Sequence, residues 1–216
     1  MSWAETMKIN NNVKKTLNEQ LREARFLPLR IITATGTFTP EKTGIYKVIC
    51  VGAGGDGEAT TNAGVASGGG GGVAIKTLRL LSTTTYNVTV SSSTASFAYD
   101  STALTATSGD DGHTSDGGGV GGTASGGDFN YPGVAGKRVT TASNVPLAGS
   151  VGVVISELTE KKHIFTPVST SVFELPYGDS ILGYGGGGTG VRFDSKAGAT
   201  DGLPAAVIII PLEMEA

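Results

Sequence analysis

The sequence predicts a mainly β fold, an antiparallel β-sandwich or jelly-roll-like domain with long glycine-rich loops and a short N-terminal helix. Three observations predict it. Short β-branched runs alternate apolar and polar residues, as in Tyr86-Asn-Val88-Thr-Val90, the mark of a half-buried strand. Glycine supplies 34 of the 216 residues, about twice its usual share. Helical periodicity occurs only before Pro28.

The first segment, 1–28, differs from the rest. Its first 27 residues contain no glycine and carry more Lys and Arg than Asp and Glu. Ser2 with Glu5 forms a possible capping box, and Asn10–Asn12 offers a second start. Val13, Leu17 and Leu21 make one apolar stripe at helical spacing. Pro28 ends the element, because the residue before a proline avoids the α region. A helix over 13–25 is therefore predicted. Alone it is marginal in water, so it packs on its own domain or serves attachment or oligomerisation. Trp3, Val13, Leu17 and Leu21 are the candidate residues for the second role.

The β domain, 29–216, follows. Strands are predicted at Leu29–Ala34, Gly44–Val51, Val73–Leu80, Tyr86–Ser91, Ala95–Tyr99 and Leu104–Thr107. Further strands are predicted at Val139–Ala142, Val151–Leu158, His163–Pro167, Ser171–Leu175 and Ala205–Leu212. The last is a continuous apolar run and reads as a central strand buried on both faces. Residues 137–177 form a possible inserted subdomain.

Thirty of the 34 glycines fall in three blocks, ten in 52–72, eleven in 109–136 and nine in 178–202. Loops of this length are uncommon in compact domains unless they are functional or disordered. The first block opens with Gly52-Ala-Gly-Gly-Asp-Gly57, formally a G-x-G-x-x-G after a strand. A dinucleotide site also needs a helix at once and an acidic residue about 20 positions on. Glycine at 64 and 68–72 forbids the helix, and no Asp or Glu lies between Glu58 and Asp100. Two fates remain for the blocks. They are flexible linkers, or segments packed side by side in the polyproline II conformation, where only glycine fits.

Large residues interrupt the blocks: Phe129, Tyr131, Tyr177, Tyr184 and Phe193. Aromatics on Gly- and Ser-rich loops give contact area at low entropic cost, so the five are candidate receptor-binding residues. The plainer alternative is that they plug the loops onto the sandwich.

No catalytic constellation is visible, so no enzyme, cofactor or metal site is predicted. His113 lies in Ser108-Gly-Asp110-Asp111-Gly-His113, which matches neither a calcium-loop nor a zinc spacing. His163 reads as a solvent-facing strand residue, and Cys50 as a small buried hydrophobe. The net charge of −3 and 16% charged residues argue against a nucleic-acid binder. The longest apolar run, Ala205–Ile210, is too short to cross a bilayer. MSWAETMKINNN lacks the apolar core of a signal peptide, so synthesis without Sec export is expected.

The segment GTFTPEKTGIYKVICVGAGGDG resembles the opening of glycine-rich domains in bacteriophage and prophage tail-fibre and virion-appendage proteins. The likeness continues through GGGGGVAIKTLRL, TTTYNVTVSSSTASF and LTATSGDDG, and closes with GYGGGGTG and PAAVIII. It covers residues 36–127 and 178–212. It departs at Ser91-Ser92-Ser93, where the pattern usually has Gly-x-Gly-Gly. The leader WAETMKINNNVKKTLNE is similar to that of small prophage tail-associated proteins. The resemblance implies a non-enzymatic virion protein, released from the host cytoplasm by lysis. It further implies other virion proteins as partners, a homo-oligomer with a trimer favoured, and contact with a host-surface glycan or protein. A capsid or neck decoration protein without receptor binding is the alternative.

Overall fold

The structure, a computed structural model, describes residues 27–60, 64–115, 117–139, 153–156, 181–188, 190–193, 196–199 and 201–215. The helix expected over 13–25, with Trp3, Val13, Leu17 and Leu21, lies outside the described residues, as do the strands expected at 163–167 and 171–175 and Tyr177.

In chain order the strands are β1 (Arg30–Ile32), β2 (Gly36–Phe38), β3 (Gly44–Val51), β4 (Glu58–Thr60), β5 (Gly64–Ala66), β6 (Val73–Leu80), β7 (Tyr86–Val90), β8 (Thr94–Tyr99) and β9 (Thr102–Thr107). They continue with β10 (Ala124–Ser125), β11 (Phe129–Tyr131), β12 (Arg138–Val139), β13 (Val153–Ser156), β14 (Ile181–Tyr184), β15 (Gly190–Phe193), β16 (Lys196–Ala199) and β17 (Ala206–Met214). Two five-stranded antiparallel sheets dominate. The first runs β1-β17-β3-β6-β11 and the second β10-β9-β8-β7-β2.

The period of two along each strand explains how the sheets meet. Tyr46, Val48 and Cys50 of β3, with Val207 and Ile209 of β17, share one core with Tyr86 and Val88 of β7, Phe97 of β8 and Leu104 of β9. Phe97, Val48 and Leu104 are completely buried, and the Tyr86 and Phe97 rings stack at 5.4 Å. The intervening residues of the same strands form a second cluster on the other face of the first sheet. There Ile49 and Val51 join Ala206, Ile208, Ile210 and Tyr184. β17 is thus buried on both faces, as its unbroken apolar run requires. It loses its regular register between Pro211 and Glu213, where a proline that cannot donate is tolerated.

The molecule has two ends. β3 runs from Gly44, paired with Met214, to Val51, paired with Ala206. Glu215 donates to Thr43 O, and Leu27 packs against the core beside Phe38 and Tyr46. Residues 27 and 215 therefore lie at the Gly44 end. The glycine blocks leave from the Val51 end.

Candidate functional site: a glycine bundle, its tip and its groove

Six strands reach the Val51 end and run straight into glycine-rich chain: β3 into 52–57, β6 out of 67–72, β9 into 108–112, β10 out of 117–123, β11 into 132–137 and β17 out of 201–205. Residues 185–188 join them after β14. The segments are not loops in solvent. They bond to one another through the main chain.

The central one, 67–72, shows the rule. Ser67 and Gly70 donate to Lys137 O and Val134 O, Gly68 and Gly71 to Gly188 O and Gly185 O, and Gly69 and Gly72 to Asp110 O and Thr107 O. All six distances lie between 2.8 and 3.1 Å. The same segment accepts from two more: Gly119 and Gly122 donate to Ser67 O and Gly70 O, and Gly55 and Gly52 to Gly69 O and Gly72 O. A strand would alternate between two neighbours. Here the partner changes in a cycle of three, which is the three-residue turn of a polyproline II helix. Five segments surround the central one. Around it, 52–56 bonds to 108–112, 108–112 to 117–122, and 117–122 to 133–136. Packing, and not a flexible linker, is what the described glycine segments do.

Glycine is needed here for space. Among the described glycines only Gly64, Gly117, Gly126 and Gly185 have positive φ. A Cβ on Gly54 would stand 1.9 Å from Gly186 O, and one on Gly71 would stand 2.0 Å from Gly52 O. Large apolar side chains stand where the helix turns them outwards, at Val120, Val134 and Leu203, which are all exposed, while Ala53, Ser67 and Ala205 are small enough to be buried.

At the far tip β12, β5 and β4 form a small sheet, with the β15–β16 hairpin beside β4. A turn at His113–Gly117 closes there, and Arg138 Nη1 donates to Ser115 O across it at 2.9 Å. The Glu58 carboxylate accepts from Thr114 N–H and lies 4.0 Å from His113 Nδ1. The nearby aspartates are occupied with main chain. Asp111 Oδ1 accepts from Asp56 N–H at 2.7 Å, and Asp56 Oδ1 from Gly202 N–H at 2.7 Å. Each carboxylate stands where a further segment's carbonyl would. Among the described residues no three His, Cys, Asp or Glu side chains are grouped so as to hold a metal ion.

The predicted aromatics are dispersed. Phe129 and Tyr131 sit on β11, an edge strand and not a glycine loop, and are 60% and 39% exposed. Tyr184, expected on a glycine loop, is 6% exposed and its ring belongs to the core cluster with Ile49 and Ile208. Phe193 is in the tip hairpin, paired with Lys196. The four described positions lie on three different strands, β11, β14 and β15. Val120, Val134 and Leu203 were not anticipated. Their signal was present, a lone large apolar residue inside a glycine block. Cys50 is completely buried with Sγ 3.6 Å from Leu104 O, and burial pushes its thiol far above the usual range. A thiol so placed is no nucleophile.

Along one flank of the bundle runs an open groove of about 1100 Å³. The β7–β8 turn, Ser91–Ser93, closes its base and His113 stands at its far end. Its walls are 108–111 and 117–120 on one side and 202–205 on the other.

The glycine-rich domain family matches residues 33–207, the span from just after β1 through the bundle to the start of β17. The chain belongs to the glycine-rich domain family. Among curated proteins none matches it. In this chain, glycine in blocks between short strands has its physical reason in the bundle.

Proposed function

We propose that this glycine-rich domain protein is a non-enzymatic appendage of a bacteriophage or phage-tail-like particle, a tail-fibre or tail-tip component that contacts the host surface. One observation carries the reading. Residues 27 and 215 lie at one end of the sandwich, and a bundle bonded main chain to main chain projects from the other. That is the geometry of display, with an attachment end, a stiff spacer and a presented tip. Residues 1–28 serve attachment or assembly into a homotrimer, and the partners at that end are other virion proteins. The resemblance of the 36–127 and 178–212 segments to phage appendage domains supports the same assignment.

The test is pull-down of fluorescently labelled protein by intact cells of a host that adsorbs the parent particle. A Phe129→Ala/Tyr131→Ala variant is run beside it, because both rings are exposed. Saturable binding is expected. Its loss in the variant places contact on the β11 edge, and its retention places contact on the groove or tip. No binding to any adsorbing host overturns host contact and leaves a capsid or neck decoration protein.

A further inference from the structure

We infer that the groove along the bundle binds a glycan chain that carries no acidic groups, an assignment that rests on the host-contact reading above. Among the described residues the outer layer of the bundle is incomplete, and this leaves the groove. Leu203 occupies one outer place, accepting from Gly54 N–H at 2.9 Å and donating to Gly186 O at 2.7 Å. The place beside it, over 53–56 and 108–111, is open among the described residues, from the Ser91–Ser93 turn to His113. An extended polymer lying parallel to the bundle axis fits that shape.

The walls define the chemistry. Hydroxyls of Ser91, Ser92, Ser93 and Ser108 line the base, and the Asp110 and Asp111 carboxylates lie further along. Among the described residues the lining holds no Lys, Arg, Phe, Tyr or Trp, and His113 is its one ring. Along the walls sulfate, phosphate and uronate meet the Asp56, Asp110 and Asp111 carboxylates, with His113 confined to the far end, whereas hydroxyl, acetamido and amino groups find acceptors and donors. The array is fixed in advance. Ser91 Oγ accepts from Thr94 N–H at 3.1 Å, and Ser108 N–H donates to Ser93 O at 2.9 Å, which clamps the turn to the bundle. Preorganised polar groups in a concavity lower the ordering cost of binding.

A second feature continues the first. The outer face of the β10-β9-β8-β7-β2 sheet carries Thr89, Ser96, Thr105 and Ser125 in one cross-strand row. Nearer the groove, Thr94 pairs with Thr107, whose hydroxyl lies 3.1 Å from that of Thr123. A glycan longer than the groove passes onto this uncharged hydroxyl surface.

The experiment is an amide chemical-shift titration of the full chain with three probes: a glucosamine tetramer, an N-acetylglucosamine tetramer and a sulfated dextran oligomer. Both tetramers are expected to shift Ser92, Ser108, Asp110 and Val120 saturably at millimolar concentration, and the sulfated oligomer is not. Ser92→Trp, at an exposed turn position, should fill the base and weaken binding at least tenfold while the remaining spectrum is unchanged. Asp110→Lys should admit the sulfated oligomer. No saturable shift with either tetramer, shifts that map elsewhere, or equal binding of the sulfated oligomer overturns the assignment. If cells are bound but neither tetramer is, the glycan assignment fails alone. If the tetramers bind but no host cell does, host contact fails alone.

Discussion

Replacing Gly71 by alanine tests the bundle most directly. The added Cβ would lie 2.0 Å from Gly52 O and 2.4 Å from its carbonyl carbon. Ordinary contact between such atoms is about 3.5 Å, so two main chains must separate by roughly 1.5 Å. Gly71 N–H to Gly185 O is 2.8 Å and Gly52 N–H to Gly72 O is 2.9 Å, and neither bond survives that displacement. Two buried peptide groups left unpaired cost about 1–3 kcal/mol each, so the loss is about 2–6 kcal/mol. A domain of this size melts about 2–4 °C lower per kcal/mol. The control is Gly36→Ala, where a Cβ meets nothing within 4 Å and the change should stay within about 0.5 kcal/mol. Urea and thermal unfolding followed by circular dichroism give both values. If Gly71→Ala behaves like Gly36→Ala, the close-packed main-chain account is wrong.

Three further outcomes are expected. Asp111→Ala removes the acceptor for Asp56 N–H and should lower stability by about 1 kcal/mol in urea unfolding, with no dependence on added divalent cations. Cys50 should not react with a thiol reagent in the native state at pH 8 and should react at once in denaturant, because burial raises its pKa and excludes the reagent. The Asp128 carboxyl is held below its ordinary value by Thr77 N–H and then by the Lys76 ammonium. A lowered folded pKa means that the tie to β6 is fully present above the unfolded Asp value and is lost as pH falls through the folded one. The Tyr131 and Lys76 signals, followed by NMR on acidification, should therefore change below the range where a free Asp titrates.

Much of the sandwich was legible because long strands declare themselves. β3 and β6 have the bounds that their alternating runs predict, and β17 is buried on both faces as AAVIII requires. Strands of two or three residues, such as β4, β5 and β10, carry no period of their own and exist only through their partners. β14 escaped for a similar reason. Ile181-Leu-Gly-Tyr184 looks like the rim of a glycine block until it pairs with β13, and the burial of Tyr184 follows from that pairing. The bundle could be posed from composition but not decided, because Gly70 and Val134 are 64 positions apart and nothing local says that they bond. The groove was invisible for the same reason, being made by seams between distant segments.

The bundle also changes how this protein should respond to temperature. Burying apolar side chains gives unfolding its large positive heat capacity, while exposing polar peptide surface lowers it. In 52–57, 67–72 and 108–123 the material taken out of water is mostly amide and methylene of the main chain. Unfolding this half of the molecule should add little heat capacity to what the sandwich contributes. The stability curve would then be flatter than that of an ordinary domain of 216 residues, with cold weakening the fold less. A bundle built from backbone alone keeps its stiffness over a wide thermal range.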